Sequence, residues 1–393
     1  VKPIYLDYSA TTPIRPEVLE AMHPYFMDIF GNASSIHTFG QKTKEALEDS
    51  REQVAAILGA SPEEIVFTSG GTEATNLAIK GALRAHGERG DLIITSSIEH
   101  HATLDTCRYL DREGFQVVYL PVDQDGKLDP GDVKKAITDR TVLISVMHAN
   151  NEVGTIEPIG EIGEIARSRD VLFHTDAVQS VGKIPVNVND LGVDFLSLSG
   201  HKIYGPKGIG VLYARKGVSF EPLFQGGHHE WNRRPGTENI PAIVGLARAM
   251  ELAEAEMALV SERETDLKNA FWEAIQTQIE GVYMNGHPLD RIPPVLNVSF
   301  DFVEGESVIL NLDLKGIAAS TGSACTSGAV EPSHVLLAMG IPPQRAQGAV
   351  RFSLGRETTQ EELDYTIAVL VETVHRLRSM SPAYARRKKK RID

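Results

Sequence analysis

The sequence predicts an α/β protein, with a large domain whose mostly parallel sheet is sandwiched by helices, plus a smaller α+β domain. Three observations lead there. Short β-branched runs alternate with helical patterns, the alternation breaks near Ile240, and 393 residues exceed what a single core usually supports. The strand candidates are Ile65–Thr68, Leu92–Ser96, Val117–Leu120, Val142–Met147, Val171–His174, Phe195–Ser199 and Gly210–Tyr213. Helical patterns at Thr72–Ala85, Ala102–Glu113, Pro130–Ile137 and Ile159–Arg169 lie between several of them. Strand, helix, strand in that order reads as parallel βαβ units. From Ile240 a helical stretch rich in Ala, Glu and Leu runs to about Ile279, followed by strand-like Leu296–Phe300, helix-like Glu306–Leu312 and further helices. The expected division is a large domain over 12–258 and a small one built from 1–11 and 259–393.

Composition narrows the function. With 42% hydrophobic and 23% charged residues the chain is neither disordered nor fibrous. No apolar run approaches the roughly 20 residues that cross a bilayer, and Val1–Asp7 lacks the order of a signal peptide, so no membrane partner is expected. The charge, 39 − 53 = −14, argues against specific nucleic-acid binding. Two cysteines, Cys107 and Cys325, give no disulfide framework, and the cytoplasm is the expected location.

Three motifs at strand ends carry chemistry. Thr68-Ser-Gly-Gly-Thr-Glu73 stops a strand, turns on glycines and opens a helix. That arrangement can cradle a phosphate, although alone it is more often an ordinary turn. In Phe173-His-Thr-Asp-Ala-Val-Gln179, Asp176 ends a buried strand, either capping the next helix or pairing with a protonated ring nitrogen. Ser197-Leu-Ser-Gly-His-Lys-Ile-Tyr-Gly-Pro-Lys-Gly208 sets Lys202 just past an apolar strand, where desolvation makes an amine nucleophilic. Phosphate cup, ring-nitrogen partner and strand-end lysine together match the three handles of pyridoxal phosphate (PLP).

With these motifs on the page, the chain resembles the cysteine desulfurases of the NifS/IscS type, in the class V aminotransferase group of fold-type I PLP enzymes. The resemblance runs from Tyr5-Leu-Asp-Tyr-Ser-Ala-Thr-Thr12 to Arg351-Phe-Ser-Leu-Gly355. It includes Phe30-Gly-Asn-Ala-Ser-Ser35, His148-Ala-Asn-Asn-Glu152, Arg234-Pro-Gly-Thr-Glu-Asn239 and Ser320-Thr-Gly-Ser-Ala-Cys-Thr-Ser-Gly328. Ala33 stands where proline is usual and Thr321 where serine is common, and neither change removes a functional group. The resemblance implies that Lys202 holds PLP covalently. Gly71, Thr72, Ser199 and His201 bind its phosphate, with Thr237 reaching it from the other subunit of a homodimer. Asp176 pairs with the ring nitrogen, Asn151 and Gln179 address the ring hydroxyl, and His100 stacks on the ring and handles protons. Asn32 and Arg351 are candidates for the carboxylate of the substrate, L-cysteine. His101, His228 and His229 are expected at the surface or in loops, and no metal site is expected.

Cys107 falls in a helical pattern and reads as a small buried hydrophobe. Cys325 lies among Gly and Ser, as an exposed nucleophilic thiol would. The implied reaction gives L-alanine and a persulfide on Cys325 for a sulfur acceptor such as an iron–sulfur scaffold, with Cys325 also a candidate transient cluster ligand. The rivals are a selenocysteine lyase, which shares the cofactor site, and a non-catalytic assembly protein of the same fold. A basic run, Arg386-Arg-Lys-Lys-Lys-Arg391, ends the acidic chain and is expected either to be solvated or to steer an acidic acceptor.

Overall fold

The computed structural model describes residues 3–322, 332–382 and 384–385. The chain enters through a short strand, β1 (Ile4–Tyr5), and then builds a seven-stranded sheet. Its strands are β2 (Ile65–Thr68), β3 (Leu92–Ser96), β4 (Gln116–Leu120), β5 (Thr141–Ser145), β6 (Leu172–Asp176), β7 (Phe195–Ser199) and β8 (Gly210–Ala214). Their spatial order is β2-β8-β7-β6-β5-β3-β4. Only β8 runs against its neighbours, pairing antiparallel with both β2 and β7. The central strands are buried on both faces, which is why they read as continuous Val/Ile/Leu runs and not as alternations. At one edge, β4 alone shows outward-facing positions.

The parallel register brings the carboxyl ends of β5, β6 and β7 to one edge of the sheet. Ligands of doubly wound sheets sit there, beyond the strand ends. The helix Gly71–His86 opens directly after β2 and lies across the sheet against β7 and β8.

The helix Ile240–Gln278 is 39 residues long and serves two cores. Ile240 to Met250 pack with the large sheet, whereas Phe271 and Ile275 belong to a second core. That second core gathers β9 (Val282–Asn285), β10 (Val295–Phe300), β11 (Ile317–Ala318) and β12 (Ala349–Ser353), with the helices Gly305–Asp313 and Gln360–Met380. Here β12, β10 and β9 pair antiparallel, and β1 returns to pair in parallel with β11. Ile4 and Leu6 therefore pack with residues such as Phe271, Phe300 and Phe352, not with the sheet that follows them in sequence.

One large element carried no strong sequence signal. The helix Thr38–Leu58 packs along the long helix, and its Arg51 is fully buried. Arg51 is paired bidentately with Glu230 at 2.8 Å and stacked over Phe67 and Trp231. An unpaired guanidinium in that position would be prohibitive to bury, so the pair and the two rings account for it together. Among the described residues no helix is long and apolar enough to cross a membrane.

Candidate active site

A cleft of about 420 Å³ opens at the carboxyl edge of the large sheet. Its walls include Gly71, Thr72, His100, Asn151, Asp176, Gln179, Ser199, His201, Lys202 and Arg351. These come from separate segments: the ends of β6 and β7, the starts of the helices Gly71–His86 and His101–Arg112, and β12 of the second sheet.

The phosphate end is built by backbone geometry. Gly70 has φ 153°, a conformation that favours glycine, and Gly210 of β8 approaches so closely that a Cβ on Gly210 would sit 2.7 Å from Gly70. A Cβ on Gly71 would come within 2.6 Å of the Val178 methyl. Glycine is thus required where the helix opens, and its first N–H groups, which have no intrahelical acceptor, face the cleft beside Ser199. His201 reaches Thr11 Oγ1 through Nδ1 at 3.1 Å, and burial together with the Lys202 charge pulls its pKa down to about 4. It is neutral at physiological pH.

Asp176 is the last residue of β6 and is buried. It accepts one hydrogen bond, from Val178 N at 3.0 Å. Burial pushes its pKa up against the opposing effects of His100, that N–H and Lys202. A buried carboxyl in this state calls for a protonated partner, and a pyridinium nitrogen is such a partner.

Lys202 closes a single 3₁₀ turn, Gly200–Lys202, immediately after β7. Its Nζ donates to the carbonyls of Ser9 and Ala10 at 2.6 and 2.9 Å. Burial, with Arg351 adding to it, lowers its pKa to about 8, so a usable fraction is neutral amine. The turn is held by Tyr204, a non-glycine residue at φ 62°, whose N donates to Thr12 Oγ1 and whose hydroxyl accepts from Arg356 N. His100 caps the helix His101–Arg112: its Nδ1 accepts from Ala102 N, which leaves Nε2 for the cleft. Desolvation lowers its pKa although Asp176 opposes this. Lysine amine, buried acid, neutral imidazole and helix N-terminus are the donor set that the three handles of PLP require, so the residues present fit that cofactor.

Arg351 Nη2 donates to Asp7 at 2.8 Å and Nη1 to the Asn151 carbonyl at 2.8 Å, while Nε has no partner among the described residues. The buried Arg351 thus borders the cleft with donor capacity left over.

The pattern of the aminotransferase class-V family spans residues 4–366. The chain belongs to that family. Relatives within it at about half identity are named cysteine desulfurases. The protein named cysteine desulfurase IscS from Dictyoglomus turgidum is 54% identical over 96% of each chain. That of Methanosarcina thermophila is 52% identical over 97% of this chain and 94% of its own. Among solved structures, a NifS-like protein superposes with TM-score 0.90 at 39% identity, over 95% of this chain and 99% of its own. A structure described as SspA in complex with cysteine gives TM-score 0.80 at 39% identity, over 91% of this chain and all of its own.

Two of the expected residues lie outside the cleft walls of their own chain. Asn32 is exposed, and its Oδ1 accepts from Ser34 N. Thr237 is also exposed and away from that cleft. His101, expected at the surface or in a loop, keeps a side chain that is 42% exposed and stands at the cleft wall with His334, ring centroids 5.1 Å apart. Sequence reasoning also passed over Ser9, Ala10 and Ser320 as wall residues. Cys325 and the basic run lie outside the described residues. Cys107 is buried in an apolar cluster with Ile79, Leu83 and Ile93, and burial pushes its thiol up to about 12.

Proposed function

We propose that the chain is a PLP-dependent cysteine desulfurase that converts L-cysteine to L-alanine and collects the sulfur as a persulfide on Cys325. The observation that carries this reading is the meeting of Lys202, Asp176 and the Gly71 helix start in one cleft. When bound, PLP supplies an electron sink for the charge left as the substrate's Cα proton departs. In this reading the N–H groups at Gly71 and Thr72, with Ser199 and His201, hold the phosphate. Asp176 keeps the ring nitrogen protonated, Asn151 and Gln179 address the ring oxygen, and His100 covers a ring face. Lys202 Nζ, depressed to about 8, takes the Cα proton and returns it. Arg351 holds the substrate carboxylate, with Asn32 the second candidate for it.

Sulfur leaves by displacement. The Cys325 thiolate attacks the substrate sulfur, an S–S bond forms, and the C–S bond breaks with its electron pair on carbon, which takes a proton to give alanine. Gly322 and His334, which precede and follow the segment bearing Cys325, both line the cleft, and this supports the assignment. The functional unit is a homodimer in which Thr237 serves the partner's phosphate. The sulfur acceptor is a protein such as an iron–sulfur scaffold, to which Cys325 can lend a transient cluster ligand, and the low cysteine content fits the cytoplasm. The test is to supply PLP and L-cysteine with a thiol reductant and quantify products. Alanine and sulfide in equal amounts are expected, and absence of alanine would refute the proposal.

A further inference from the structure

Behind Lys202 lies a second, smaller cavity of about 50 Å³, sharing Ser9 and Lys202 with the cleft. Its walls include Lys183, Tyr204 and Glu264, ionisable groups with no part in the reaction as described. Lys183 Nζ donates to Gln179 Oε1 at 2.8 Å. Gln179 Nε2 donates to the Ser9 carbonyl at 3.0 Å, and the same carbonyl accepts from Lys202. On the far side, Ser261 Oγ of the long helix donates to the Lys183 carbonyl at 2.7 Å and pins the turn that bears the lysine.

We infer that Lys183 is a positioning residue that fixes which end of the Gln179 amide faces the cleft. The argument uses donor chemistry. An ammonium can only donate and a carbonyl can only accept. In its charged form Lys183 therefore demands the amide oxygen, and the Ser9 carbonyl demands the amide nitrogen in either form. Both neighbours impose the same orientation, so Gln179 cannot turn over without losing two hydrogen bonds in a buried setting. Its NH₂ group has two hydrogens, of which Ser9 takes one. The second is left for the cleft, so Gln179 presents a donor and not an acceptor. Burying a lysine is costly, and burial pulls the Lys183 pKa down to about 7 even with Glu264 pulling the other way. An aliphatic side chain would fill the space at lower cost but would leave the amide held by the Ser9 carbonyl alone, with half of its orienting contacts gone.

The inference rests on PLP occupying the cleft with its ring oxygen at Gln179. A donor on that oxygen competes for the lone pair that otherwise holds the proton on the adjoining Lys202 nitrogen, and so lowers that nitrogen's pKa. The experiment reads the pH midpoint of the visible band of the PLP-loaded protein, together with PLP retained on dialysis. Lys183→Met should raise the midpoint by about one unit, the scale of a lost hydrogen bond to a charged group. Lys183→Arg, which keeps a donor, should restore it. Gln179→Ala should raise it as well, and Lys183→Met added to Gln179→Ala should raise it no further. Additive shifts would overturn the inference, because they would mean that the lysine acts by its own charge. An unchanged midpoint in Lys183→Met would overturn it as well. If that variant does not fold, Lys183→Leu takes its place with the same outcomes. A parent protein that shows no visible band with PLP would instead overturn the cofactor assignment itself.

Discussion

Lys202 and Gln179 share one acceptor: both donate to the carbonyl of Ser9, at 2.6 and 3.0 Å. A residue near the chain start thereby ties the strand-end lysine to the wall that faces the cofactor ring. Among the described residues the hydrogen-bond partners of Lys202 are the carbonyls of Ser9 and Ala10, and burial outweighs the pull of Asp176 and Asp7 to lower its pKa to about 8.

Lys202→Ala should lose the visible PLP band and L-cysteine turnover together. A general base of this kind contributes about 10²–10⁴-fold, so turnover should fall by at least that much. Absorption spectroscopy and alanine assay check this. Alanine formation at the parent rate would remove Lys202 from the mechanism.

The two cysteines should separate cleanly. Cys325→Ser should still give a spectral change on adding cysteine, while reductant-dependent sulfide falls to background. Cys107→Ser puts a hydroxyl among Ile79, Leu83 and Ile93, which should cost about 1–3 kcal/mol of stability and leave turnover unchanged. Full sulfide production by Cys325→Ser would sink the persulfide assignment.

Much of this site was legible because strand ends are marked in sequence. An apolar run that stops at Asp176, or at Ser199 before Gly-His-Lys202, announces a residue held at the sheet edge. What pairs across the chain was not. Ser9 lies 193 residues from Lys202 and Asp7 lies 344 from Arg351, and no local period encodes such meetings. The helix Thr38–Leu58 was passed over since charged residues interrupt its apolar face, one of them the buried Arg51 whose partner, Glu230, is 179 residues away.

A pH effect follows from Glu99. It is fully buried, its Oε1 accepts from Ser96 Oγ and Met147 N, and burial pushes its pKa up to about 8. The folded state keeps this proton where the unfolded chain has already lost it. Its stabilisation is complete below about pH 4.5 and is lost as the pH rises through about 8, at up to about 1.4 kcal/mol per pH unit. Glu157 is shifted in the same direction, while the buried His148 and His174, with lowered pKa values, act in the opposite one at acidic pH. Comparison with Glu99→Gln isolates one group. The amide mimics the protonated acid, so the variant's denaturation midpoint should gain on the parent between pH 5 and 8, about levelling above that. Parallel curves would show that Glu99 carries its charge at neutral pH.

The last expectation concerns assembly. Phe26, Met27, Phe30, Ile36 and Phe39 are exposed within one short stretch, and Phe30 and Phe39 stack 5.6 Å apart. Apolar exposure on that scale marks a surface that another protein covers. Asn32 lies within the same stretch, and Thr237 is exposed on the loop after Glu230, where the Arg51 pair and the left-handed residues Glu230, Trp231 and Asn232 fix the backbone. The expectation is that a second copy of the chain covers the stretch and brings Thr237 to the opposite cleft in a closed two-fold dimer. Sedimentation should return the mass of two chains. Ile36→Lys, which sets a charge on the most exposed of these side chains, should shift the protein toward monomer and weaken PLP retention along with it. Thr237→Val should keep the dimer but weaken PLP binding by about 10–100-fold, the cost of one hydrogen bond to a charged group. A monomer that keeps full activity and holds PLP as tightly as the dimer would contradict the shared site, because no residue of the partner would then be needed at the phosphate.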